Sequence, residues 1–105
     1  MARDREDRFI DPKIRAEVLE RDQGVCRICG RWLDIPALHH IVFKSQGGLD
    51  LPSNLLSVGW LPGHDCHLTV AHGPEARMWR DIFQEVIETP GATALQVRRW
   101  RLNSR

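Results

Sequence analysis

All five histidines and all three cysteines of this chain fall between Cys26 and His72, a window of less than half its 105 residues. Neutral imidazoles and thiolates are the donors that zinc and related transition ions prefer, so this clustering points to a metal site. A chain of 105 residues with 42% hydrophobic side chains builds one small core, which bound metal would stabilise, and two full domains are excluded. The odd cysteine count, with two of the three in Cys26-Arg27-Ile28-Cys29, argues against a disulfide framework and for metal binding.

No apolar run approaches the roughly 20 residues needed to cross a bilayer. Met1-Ala2-Arg3-Asp4-Arg5 leads into charge rather than into a signal-peptide core, so the expectation is a soluble, cytoplasmic protein with no membrane partner. The net charge of +1 averages over unlike segments. Residues 1 to 22 hold six basic and seven acidic side chains, whereas residues 92 to 105 hold Arg98, Arg99, Arg101 and Arg105 and no acid. That last stretch reads either as a surface for an anionic partner or as a solvated helix face, and charge alone does not separate the two.

The local pattern predicts an α+β fold. Asp11-Pro12 is a helix start, with Ile14, Val18 and Leu19 on one face and Gly24 as the stop. Cys26 to Gly30 reads as a tight turn, followed by short extended pieces at Trp32, Leu33, Ile35 and Leu38. His39 to Phe43 reads as a strand broken by Ser45-Gln46-Gly47-Gly48, and Asn54 to Val58 as its hairpin partner, entered through Pro52-Ser53. A helical pattern runs from Cys66 to His72-Gly73, and Pro74 opens another helix whose stripe of Met78, Trp79, Ile82, Phe83, Val86 and Ile87 is core. Thr89-Pro90-Gly91 closes it, and a final short helix or extended arm carries Leu95, Val97 and Trp100. Trp32 and Trp60 read as packing residues.

The order Cys26-Arg27-Ile28-Cys29-Gly30, then Leu38-His39-His40-Ile41-Val42-Phe43-Lys44-Ser45-Gln46-Gly47-Gly48, then Ser53-Asn54-Leu55-Leu56-Ser57, then Asp65-Cys66-His67 with His72 beyond, resembles the HNH nucleases of the ββα-metal (His-Me finger) type. The resemblance covers about residues 12 to 75 and extends to the small HNH proteins common in phages and prophages. It implies a single nuclease domain, with a motif core at about 24–75 and a basic arm at 92–105. It also implies a ββα-metal core carrying a zinc-binding Cys-x-x-Cys turn and flanking helices. The implied activity is metal-dependent endonucleolytic hydrolysis of DNA by a single-metal mechanism, leaving 5′-phosphate and 3′-hydroxyl ends.

On that resemblance His40 is the general base, and Asn54 is the central asparagine that braces it. His39 and His67 are ligands of a catalytic divalent ion, one of Mg, Mn, Ni, Co or Zn. His72 is either a third ligand or a histidine at a helix end, because five residues rotate a helix by about 500° and the two side chains diverge unless it ends or distorts. Cys26, Cys29 and Cys66 imply a structural zinc site, with His64 as fourth ligand where relatives carry a cysteine near Gly59; the other reading is thiols packed in the core. Lys44 and Gly47-Gly48 read as phosphate contacts or as a polar loop. Arg98, Arg99 and Arg101 around Trp100 read as a DNA-contact arm, or with the indole tucked into the core. The expected partner is DNA, bound by a monomer or homodimer. Two other functions compete: a zinc-stabilised DNA-binding module that cuts nothing, and a redox or metal sensor built on the Cys-x-x-Cys turn.

Overall fold

The first helix, α1 (Pro12–Asp22), begins where Asp11 accepts a hydrogen bond from the Lys13 amide at 2.8 Å. The computed structural model describes residues 10–103, so the charged segment before residue 10 and Arg105 lie outside the described residues. The helix ends one residue before the expected Gly24, because Gln23 itself adopts the left-handed conformation, with φ 53°.

Two strands, β1 (Ala37–His40) and β2 (Leu55–Val58), pair antiparallel in the register Ala37 with Val58, Leu38 with Ser57, His39 with Leu56 and His40 with Leu55. β1 therefore starts two residues before the expected His39 and stops at His40 rather than Phe43. Asn54 explains the stop: the Ile41 amide donates to its carbonyl at 2.9 Å and the Val42 amide to its side-chain Oδ1 at 2.8 Å. A side chain thus takes over from the ladder, and the chain turns away into the loop.

Directly opposed residues of an antiparallel pair share a face. Ala37, His39, Leu56 and Val58 face one side of the sheet, toward Phe83, Ile82 and Val86, while Leu38 and Leu55 pack with Val18 and Ile10 on the other. The sheet is covered on both faces, and the neighbouring residues His39 and His40 are directed to opposite sides. Beyond β2 the chain makes a π-helical turn (His67–Ala71) and then α2 (Ala76–Glu88) and α3 (Ala94–Asn103). α2 begins two residues later than Pro74. Its buried stripe is Trp79, Ile82, Phe83 and Val86, the i, i+3, i+4, i+7 positions, which leaves Met78 38% exposed rather than in the core. The final segment is a helix and not an arm, started by a reciprocal cap in which the Gln96 amide donates to Thr93 Oγ1 and the Thr93 amide to Gln96 Oε1. Among the described residues no helix is long and apolar enough to cross a membrane.

One buried ion pair joins these elements. Asp22 ends α1 with its side chain wholly buried and accepts from Arg27 Nη1 at 2.6 Å, Arg21 Nε at 2.7 Å and the Ser57 amide at 2.9 Å. Arg27, equally buried, donates in addition to the carbonyls of Ala92, Val86 and Thr89. Burial pushes the Asp22 carboxyl upward, but the hydrogen bonds from Arg21, Ser57 and Arg27 outweigh it and hold the group below the usual carboxylate range.

Replacing Asp22 by Ala strands the Arg27 guanidinium in the core and is expected to destabilise the fold by about 3–5 kcal/mol. Because the folded carboxyl titrates below its unfolded value, its contribution is fully present above about pH 4 and is lost as pH falls through the folded value. Urea titrations at pH 7 and pH 3 check both points: the wild type should lose more stability between them than Asp22→Ala does.

Candidate metal centres

The two centres arise from turns whose backbones are fixed before any ion is considered. Around the first, Gly30 donates its amide to the Cys26 carbonyl at 2.7 Å, and the Cys26 amide donates to Arg31 at 2.8 Å. This closes Cys26-Arg27-Ile28-Cys29 into a knuckle flanked by a bridge between Val25 and Trp32. A second turn, Leu61 to His64, closes with the His64 amide on the Leu61 carbonyl at 2.9 Å, and Arg31 Nη1 reaches across to the Gly63 carbonyl at 3.2 Å. The knuckle and the turn present Cys26, Cys29, His64 and Cys66 to one another, their four donor atoms all within 4.8 Å and Cys29 Sγ 3.1 Å from His64 Nε2. None of the three cysteines forms a disulfide. Four such donors can hold a zinc ion tetrahedrally, and Cys3His is a common structural set.

The local electrostatics favour thiolate at Cys26 alone. The hydrogen bond from Cys66 outweighs burial and, with the backbone amides of Cys29, Gly59 and Ile28, brings the Cys26 thiol down to about 4. Cys66, the donor in that pair, is pushed up. Burial also raises Cys29. Gly59 is integral to the centre, because a Cβ there would stand 2.6 Å from the His64 ring. The imidazole occupies the space that a side chain at position 59 would fill.

The second cluster lies on the α2 face of the sheet. His39 on β1 meets His67 and His72, with ring centroids 5.1 and 4.9 Å away, and the ligand atoms of all three lie within 4.8 Å of one another. His67 and His72 approach most closely, Nε2 to Nε2 at 3.1 Å. The π turn makes this possible. The His72 amide donates to the His67 carbonyl five residues back, at 2.9 Å, so the wider turn brings round two side chains that an α-helix would splay. Of the two readings of His72, the structure places it with His39 and His67. His39 and His67 are buried and His72 is exposed, its ring stacked on Phe43, so the cluster opens to solvent on one side.

His40 sits on the other face of β1, fully buried, with Nε2 2.6 Å from Asp50 Oδ1. Burial alone would raise the Asp50 carboxyl, yet the hydrogen bonds with His40 and Lys44 hold it below the usual carboxylate range. The sequence context of Asp50 carries no signal beyond spacing, ten residues after His40 at the end of the glycine-bearing loop. Asn54 spans that loop, its Nδ2 donating to the carbonyls of Val42 at 3.1 Å and Leu49 at 3.0 Å.

Several expected contacts are placed differently. Lys44 pairs with Asp50 at 3.3 Å. The amides of Gly47 and Gly48 turn inward to the carbonyls of Lys44 and Phe43, and a Cβ on Gly48 would collide with the Val42 carbonyl, so these glycines close the loop instead of offering amides to an anion. Arg101 is not without an acidic partner: α2 supplies Asp81 at 2.8 Å and Glu85 at 2.7 Å. Arg98 lies over the Trp79 ring at 5.5 Å, Trp100 is 47% exposed, and Trp32, though 68% exposed, lays its ring over Gly24. Arg99 is exposed on α3.

About one tightly held zinc per chain is expected at the cysteine centre, detected by elemental analysis after dialysis against a mild chelator. Cys26→Ala and Cys29→Ala should lose it and melt at markedly lower temperature. Gly59→Ala, which displaces the His64 ring, should weaken zinc binding by about 10- to 100-fold, read by competition with a chromogenic chelator. Retention of no zinc by the folded protein would reduce the thiols to packing. These assignments stand on the side chains alone, since no family model matches the chain and no curated protein matches it.

Proposed function

We propose that the chain is a metal-dependent endonuclease of the ββα-metal type, cutting DNA phosphodiester bonds with His40 as general base. The observation that carries the reading is the convergence of His39, His67 and His72 into a three-imidazole cluster open on one side, directly beside His40 in the strand. Three protein ligands with an open position are the arrangement of catalytic rather than structural sites. A divalent ion held there would neutralise charge on the scissile phosphate and stabilise the leaving oxygen.

The remaining chemistry belongs to the side chains. An ionised Asp50 can only accept, so in the neutral His40 ring Nε2 carries the proton and Nδ1 carries the lone pair. His40 is then the side chain that removes a proton from water as the water oxygen forms its bond to phosphorus. The bond from phosphorus to the 3′ oxygen breaks, and that oxygen takes its proton from solvent. The Asp50 carboxylate fixes the tautomer and stabilises the imidazolium that forms, as a carboxylate partner does for any histidine base. Asn54 holds the loop that carries Asp50 against the strand end. Asp50 and Asn54 are positioning residues. The DNA partner and the phosphate-contacting roles of Lys44, Arg98, Arg99 and Arg101 belong to the same proposal, with Arg99 the arginine of the three most available.

Plasmid cleavage in the presence of Mg, Mn, Ni, Co or Zn tests the reading. Wild type should cut with at least one ion, and His40→Ala should lose about 10²- to 10⁴-fold in rate while keeping its fold and metal affinity. His39→Ala and His67→Ala should instead weaken binding of the second ion in calorimetry. Asp50→Asn should lower kcat and shift its pH profile. Cleavage by His40→Ala within a few fold of wild type removes the base assignment. DNA retention without cutting by any ion favours the zinc-stabilised binding module.

A further inference from the structure

Beside the histidine cluster opens a cavity of about 230 Å³ whose walls include His39, Phe43, Gln46, Arg77, Arg80 and Phe83. Arg77 and Arg80 lie three residues apart in α2 and are neighbours on the helix surface. Both line the cavity, Arg80 half-buried and Arg77 exposed at the start of α2.

The charge balance of the cavity is one-sided. No aspartate or glutamate lines it. Asp81 and Glu85 on α2 are engaged by Arg101, and among the described residues neither Arg77 nor Arg80 has an ion-pair partner. The three histidines bring no negative charge either. Of the three only His39 lines the cavity, so a divalent ion on the cluster would stand at its wall, with two guanidinium groups and no lining anion to balance them. A small site of this kind attracts a compact anion with several acceptor oxygens, and planar guanidinium groups pair with phosphate oxygens two bonds at a time. Gln46, at the wall, adds a neutral donor.

We propose that Arg77 and Arg80 form a seat for a DNA phosphate beside the histidine cluster, pairing with its non-bridging oxygens. This inference rests on the nuclease reading for the identity of the phosphate, but the anion seat itself is testable without cleavage. The seat would explain how so small a domain with a net charge of only +1 recruits a phosphate to its centre: the unbalanced positive charge is local.

The test compares wild type with the Arg77→Ala/Arg80→Ala double variant and with Arg77→Lys and Arg80→Lys. Zinc-loaded protein is titrated with inorganic phosphate by calorimetry, zinc affinity is measured separately, and plasmid cleavage gives kcat/KM. The double variant should bind phosphate about 10- to 100-fold more weakly and lose a similar factor in kcat/KM, with zinc affinity within twofold of wild type. The lysine variants, which keep charge but lose the fork, should recover part of both. If wild type cuts DNA and the double variant keeps its kcat/KM and its phosphate affinity, the seat is wrong while the nuclease reading stands. If wild type cuts nothing yet binds phosphate through these arginines, the nuclease reading fails and the anion seat stands. Equal phosphate binding by wild type and double variant, or binding by neither, overturns the seat.

Discussion

A carboxylate and a guanidinium shielded from water hold this domain together. Asp22 and Arg27 are each removed from solvent at a desolvation cost that their mutual attraction offsets only because both side chains are saturated with further hydrogen bonds. Through them the end of α1 is tied to the outer edge of β2 and to the segment joining α2 to α3. The Arg27 and Ile28 carbonyls also receive the first amides of α3, Ala94 and Leu95. Arg27 is one of the two residues between Cys26 and Cys29. The knuckle that presents two thiols to a metal is therefore also the joint on which four elements meet, and the metal centre and the core cannot be separated physically.

The two histidine-bearing regions follow from this frame. β2 is held on one edge by β1 and on the other by Asp22 and Arg27, whose contacts run through both backbone groups of Ser57. With β2 fixed, β1 can direct His39 and His40 to opposite faces, the first into a cluster of imidazoles and the second onto Asp50. On the proposed function that division keeps the base away from the ion, so protonation of one does not compete with coordination by the other. The Cys3His centre lies apart, where it fixes the loop leading into His67.

The sequence is most informative where chemistry and spacing coincide. Asp11-Pro12, the hairpin, the Trp79 to Val86 stripe and the donors Cys26, Cys29 and Cys66 are all legible because a single local rule governs each. His64 is legible only in combination: the ring fits because position 59 lacks a side chain, a relation between two positions that no local pattern expresses. Arg27, between the two cysteines of a metal motif, is a buried structural cation. Asp50, Arg77 and Arg80 carry no signal, since each matters only for what the fold brings opposite it. The charge of α3 misleads for the same reason, because the acids that engage Arg101 lie on the preceding helix. Thr93 and Gln96, by contrast, are a readable capping pair that settles helix over arm.

The π turn between His67 and His72 has a consequence for how this loop tolerates changes of length. A π turn is an α-turn with one residue added between fixed ends. Of its three middle residues Leu68 and Thr69 are exposed, Leu68 by 50%, while Val70 packs against the core. Deleting one of them would let the segment wind as an ordinary α-turn, with both imidazoles again on one face at a spacing of four. Adding one would leave no helical geometry that keeps them together. The segment is thus asymmetric toward insertion and deletion: one residue can be removed and the cluster kept, but not one more added.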